Sequence, residues 1–211
     1  MSIFSFFKGN KRSKKPKGMI AYFQLEDWWN EEFSDEERRL IEEVYQPMGG
    51  SSLTSGDIRS TSNSSIAFLH TLAGWFQKSE HRYIAQKCLK KAESLVDTNT
   101  RPLDLHFLLS NKVTILYKDR DNSPDGLQRA IEACKQQIDF AERAKAAFEK
   151  EYNGHALPSH VGFRQLAIVL EKQKKFTEAI DLIEIAKSQG WSGDWDKRIE
   201  RCTKKMGLGN P

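Results

Sequence analysis

Residues 163–186 read FRQLAIVLEKQKKFTEAIDLIEIA. Phe163, Leu166, Ala167 and Leu170 recur at steps of three and four, the spacing of one helix face. After the polar turn Glu171 to Lys175, Phe176, Ala179, Ile183 and Ala186 do the same. The stretch therefore predicts two amphipathic helices, over 161–174 and 176–188, joined by a short turn. Such a connection forces antiparallel packing. Working outward, every periodic signal from Ile66 onward is helical. Ile66, Leu69, Leu72, Ala73 and Phe76 share one face, with Phe68 and Trp75 on another. A helix over 81–95 carries Ile84, Cys88, Leu89, Ala92 and Leu95, and one from Pro102 carries Leu105, Leu108, Leu109, Val113 and Leu116. Ser123-Pro124 offers an N-cap and a first-turn proline for the longest predicted helix, which Asn153-Gly154 stops. Trp195, Ile199, Cys202 and Met206 make a narrow stripe on a last helix charged elsewhere, and Asp194 is placed to cap it. No run alternates as an exposed strand would, so the expected fold class is all-α.

Helices that arrive in pairs invite a search for a period. Residues 163–186 resemble a tetratricopeptide repeat, a helix–turn–helix unit of about 34 residues. Phe163 stands at the large aromatic position, Leu166-Ala167 at the leucine–small pair, Phe176 at the opening of the second helix, and Ala179 and Ala186 at the small positions. The alanines let two helix backbones approach while Phe163, Leu170 and Ile183 fill the space around the contact. Leu170 and Ile183 depart from aromatic consensus positions, and Trp191 stands where a proline often lies. Residues 69–92 give a second, weaker match through Leu69, Leu72, Ala73, Phe76, Ala85, Leu89 and Ala92. Residues 103–150 fit poorly, because the turn is too long and the second helix runs too far. The resemblance implies stacked antiparallel pairs that bind a partner protein or peptide in a concave groove lined by the first helix of each pair. Carried over by register, the groove would hold His70, Gly74, Gln77 and Lys78 from the first pair, and Arg164, Ile168, Glu171 and Lys172 from the third. Lys78, Arg164 and Lys172 suit an acidic segment.

The chain has 211 residues, 38% hydrophobic and 29% charged, with net charge +4. That composition excludes a wholly disordered or collagen-like chain. Six positive side chains lie in residues 1–18 with no acid, so the remainder carries net −2. Four segments are expected: a basic flexible leader (1–18), an acidic and aromatic helical segment (19–48), a Ser/Gly-rich loop (49–65) and the helical domain (66–211). In the loop, thirteen of seventeen residues are Gly, Ser, Thr or Asn. Within the second segment Ser34-Asp35-Glu36-Glu37 spells a capping box that opens a helix to about Tyr45. The leader's apolar stretch is too short, and in the wrong order, for a secretory signal. It can instead touch an anionic membrane weakly, through Phe4, Phe6 and Phe7 with Lys8, Lys11, Arg12, Lys14, Lys15 and Lys17. The same cations could meet phosphate, although the acidic body argues against nucleic acid.

Sites for chemistry are sparse. Gly-rich phosphate loops, HExxH and GxSxG are absent. His155 and His160 flank a turn and read as solvated loop histidines, and two histidines alone make a poor metal site. Cys88, Cys134 and Cys202 lie on apolar stripes, which points to packing and a reducing cytoplasm. Trp28-Trp29 reads either as an end cap on the helical body or as an aromatic patch for a partner. The expectation is a non-catalytic scaffold or adaptor that needs no cofactor or metal. It would be cytoplasmic, or peripheral at the inner face of a membrane.

Overall fold

The computed structural model describes residues 15–47 and 52–207. The described residues are all-α, with eleven helices and one pair of very short strands, and the chain divides into two units, 1–62 and 63–211.

In the first unit α1 (Gly18–Tyr22), α2 (Glu26–Glu32) and α3 (Asp35–Val44) follow one another closely. The capping box forms as its residues dictate. The Ser34 amide donates to Glu37 Oε2 at 2.7 Å and the Glu37 amide to Ser34 Oγ at 3.2 Å. The Arg38 guanidinium satisfies the carbonyls that end α2, donating to Asn30 and Phe33. Part of the Ser/Gly-rich loop is tied down. Amides of Lys17, Gly18, Met19 and Ile20 donate to carbonyls of Thr54, Gly56, Ser52 and Leu53. Gly18 has φ +58°, and a Cβ there would stand 2.3 Å from the Ser52 carbonyl oxygen, so only glycine fits.

The second unit opens with α4 (Ser65–Gly74), capped by the Ser64 hydroxyl, and a single tight turn at Ser79–His81 leads to α5 (Arg82–Ser94). Next come α6 (Pro102–Lys118), α7 (Gly126–Asp139), α8 (Ala141–Glu151), α9 (Val161–Lys172), α10 (Phe176–Ser188) and α11 (Trp195–Gly207). Helix α4 packs on α5, α6 on α7, α9 on α10 and α10 on α11. Between α10 and α11, Lys187 meets Asp196 and Thr177 meets Met206, which sets them antiparallel.

The first helices of the pairs run parallel. Ser64 Oγ donates to Asp104 Oδ2 at 2.6 Å, Asn111 Nδ2 to the His70 carbonyl at 3.0 Å, and Lys118 Nζ to Gln77 Oε1 at 2.7 Å, at separations of 40, 41 and 41 residues. A near-constant offset is what parallel helices produce. The same holds for α6 and α9, where Lys172 Nζ reaches the Tyr117 hydroxyl at a separation of 55 and His160 faces His106 at nearly the same offset.

Three expectations need correction. The predicted long helix breaks at Phe140, so that Ala133 and Cys134 pack with Val113 and Leu166 while Ala141, Ala144 and Phe148 turn toward Phe163 and Trp191. Its start moves to Gly126 behind Asp125, because the Ser123 hydroxyl donates to Asp125 Oδ1 at 2.8 Å and is not free to cap. Finally, β1 (Leu157–Ser159) pairs in parallel with β2 (Trp191–Ser192). Strands of three and two residues are too short to show any alternation in sequence.

Candidate functional site

The outward faces of α4, α6 and α9 are the place to test the expected groove. Lys78 and Arg164 are exposed and Ile168 is half-buried. Gln77 accepts from Lys118, and Lys172 is exposed with its ammonium 3.3 Å from the Tyr117 hydroxyl and 5.9 Å above that ring. His70 is 9% exposed and held by Asn111, whose Nδ2 lies 3.2 Å from His70 Nδ1, and burial lowers its pKa. Little of that imidazole is open to a ligand.

Glu171 does not line a groove. Its side chain is 9% exposed, with Oε1 accepting from Arg198 Nη1 at 3.1 Å and both oxygens accepting from Arg201 at 2.9 Å. The register placed it one step from Lys172, but α11 lies across that side of α9 and claims the carboxylate. The expected groove also left out the central helix, α6, although its apolar stripe predicted the helix itself. On α6, Asn111, Thr114 and Lys118 recur at steps of three and four on the side away from Leu108 and Val113, and Asn111 and Lys118 reach across to His70 and Gln77. A poor repeat match in residues 103–150 concealed them, although their spacing alone marks a face.

A buried cluster of rings and amides lies behind this face. His106 stacks parallel to Trp191 at 5.7 Å and meets Phe148 edge-on at 5.3 Å, with His160 at 5.4 Å. His160 was expected in solvent with His155. Instead it is fully buried, and its Nδ1 accepts from the Phe163 amide at 3.3 Å, capping α9. A cap at the start of a buried helix must itself be buried, and an aromatic ring fills that space. Among the described residues its Nε2 and His106 Nδ1 have no hydrogen-bond partner. Burial lowers the pKa of His106 to about 4, and burial together with the His106 ring lowers that of His160 to about 3. Gln137 Oε1 accepts from the Gly162 amide at 2.7 Å and ties α7 to the start of α9. His155 is exposed, as expected.

The three cysteines are buried, and burial pushes the Cys134 thiol up to about 12, leaving it protonated. Among the described residues there is no group of three or more His, Cys, Asp or Glu able to hold a metal ion. Nor is any described helix long and apolar enough to cross a membrane. Trp29 is 2% exposed and packs at 5.3 Å on Phe33, so it cannot serve as a surface patch, while Trp28 is half-buried and edge-on to the same ring. Of the leader, Phe4, Phe6, Phe7, Lys8, Lys11, Arg12 and Lys14 lie outside the described residues. Lys15 and Lys17 are exposed, with Lys17 3.8 Å from Asp57.

No family model, curated protein or solved structure matches the chain. The functional reading therefore rests on these residues.

Proposed function

We propose that the second unit is a tetratricopeptide-like array that works as a non-catalytic protein-interaction module, binding an acidic protein or peptide segment along the faces of α4, α6 and α9. The observation that carries this reading is the parallel register of those helices, held at near-constant sequence offsets by His70–Asn111, Gln77–Lys118 and Tyr117–Lys172. Helix pairs stacked this way present one continuous face rather than separate grooves. Lys78, Lys118, Arg164 and Lys172 give it positive charge, while Asp119 and Glu171 are neutralised by Arg82 and by Arg198 and Arg201. Exposed cations beside masked carboxylates favour carboxylate ligands. Buried thiols, with burial pushing those of Cys134 and Cys202 up, and neutral buried His106 and His160 fit packing better than catalysis, and the cytoplasm is the setting these free cysteines suit.

The test is affinity capture from native lysate by the full chain, with an Arg164→Glu, Lys172→Glu variant alongside. The variant is expected to lose the captured partner with its far-UV circular dichroism unchanged. Undiminished capture would remove the groove from this face.

A further inference from the structure

A second surface lies on the same unit, around the amino-terminal half of α6 and along α8. Two adjoining concavities, of about 740 and 270 Å³, share Phe107 and Tyr152. These two rings are 40% and 49% exposed, although both pack on the buried Phe148, at 5.9 and 5.8 Å. Leu103 lies in the floor. Aromatic residues that are rigidly backed yet open to solvent are the usual anchors of an interface.

The charges say what covers them. On α8, Arg143 and Lys150 are seven residues apart, two turns along one helix face, or about 10 Å. Neither has a carboxylate within ion-pair distance among the described residues, and Arg143 rests over the Phe140 ring at 4.9 Å. The acids of this surface are already engaged. Asp104 receives two bonds of 2.9 Å from Arg101 and one of 2.6 Å from Ser64, and Glu151 acts electrostatically on Arg101. Between the two free cations stand Ala146 and Ala147, whose small side chains allow another helix to come close.

We infer that this cleft seats an amphipathic helix of a partner protein that carries two carboxylates seven residues apart, flanking large apolar side chains. The carboxylates pair with Arg143 and Lys150, and the apolar side chains enter between Phe107 and Tyr152. The inference rests on the interaction-module reading but uses a surface distinct from Arg164 and Lys172.

The probe is a fluorescein-labelled amphipathic peptide with two glutamates seven residues apart around a leucine and a tryptophan, and a second peptide with lysines in place of the glutamates. Fluorescence polarisation with the full chain is expected to show binding of the acidic peptide and not of the basic one. An Arg143→Glu, Lys150→Glu variant is expected to lose about tenfold or more in affinity for the acidic peptide and to prefer the basic one. Both side chains are exposed, so its circular dichroism should match the parent chain. Tyr152→Ala should weaken binding without altering the charge preference. Failure of the acidic peptide to bind, or equal binding by the charge-reversed variant, overturns the site. If Arg164→Glu, Lys172→Glu weakens the peptide instead, the cleft is rejected while the interaction-module reading stands.

Discussion

His106 and His160 bring two imidazoles within 5.4 Å of each other between Phe148, Phe163 and Trp191, and burial is the main reason both resist protonation. Their folded pKa values, about 4 and about 3, lie below the 6.5 of a free histidine. The folded state thus binds fewer protons than the unfolded chain between these values. The neutral pair contributes full stability above pH 6.5, and that contribution is lost as pH falls. At pH 5 each histidine should cost about 2 kcal/mol relative to pH 7. Urea unfolding at the two pH values measures this, and a stability that does not change would contradict the buried neutral pair. His106→Phe should be nearly neutral at pH 7, because Nδ1 has no partner to lose, and should remove about half of the acid penalty. His160 differs, because its Nδ1 also caps α9.

At the scale of elements, α11 is fastened to α9 by one carboxylate. Glu171 and Arg198 have side chains 9% and 10% exposed, and Arg198 also donates to Asp194 Oδ1 at 2.8 Å. Glu171→Ala would leave Arg198 buried beside a missing anion, at a cost of about 3 kcal/mol, whereas Arg201→Ala, at a site 41% exposed, should cost under about 1 kcal/mol. Chemical denaturation of the two variants separates the cases, and equal losses would show that Glu171 is not anchored through Arg198. Packing of α7 on α9 depends on Gly162, where a Cβ would meet the Cys134 carbonyl oxygen at 2.9 Å and Gln137 Oε1 at 3.0 Å. Gly162→Ala is therefore expected to destabilise by about 1–3 kcal/mol in the same assay. These contacts also explain what sequence could reveal. The stripes of residues 161–188 give the limits of α9 and α10 to within two residues, since periodicity reports a helix's own buried face. The break at Phe140, the burial of His160 against His106 and Trp191, and the capture of Glu171 by α11 each depend on a neighbour distant in the chain. Local spacing carries no trace of such partners. Of the predicted groove, exposed Lys78, Arg164 and Lys172 were readable because polar residues opposite an apolar stripe face outward.

For the whole molecule, the division at Ser62 has a chemical consequence that can be tested directly. Ile58 to Asn63 has no regular structure, and Arg59 within it is exposed. Protease needs an extended, accessible segment, and the helical pairs deny it one. Limited trypsin digestion of the native chain is therefore expected to cut first after Arg59, apart from cleavage in the basic leader, and to release a resistant fragment spanning the second unit. The interactions that tie its helices, Ser64–Asp104, Arg82–Asp119, Gln137–Gly162 and Glu171–Arg198, all fall within residues 63–211. That fragment should then unfold cooperatively in urea with the acid dependence assigned to His106 and His160. Rapid trypsin cleavage inside α6 or α9, or a fragment that lacks a cooperative transition, would show that residues 63–211 do not hold together by these contacts alone.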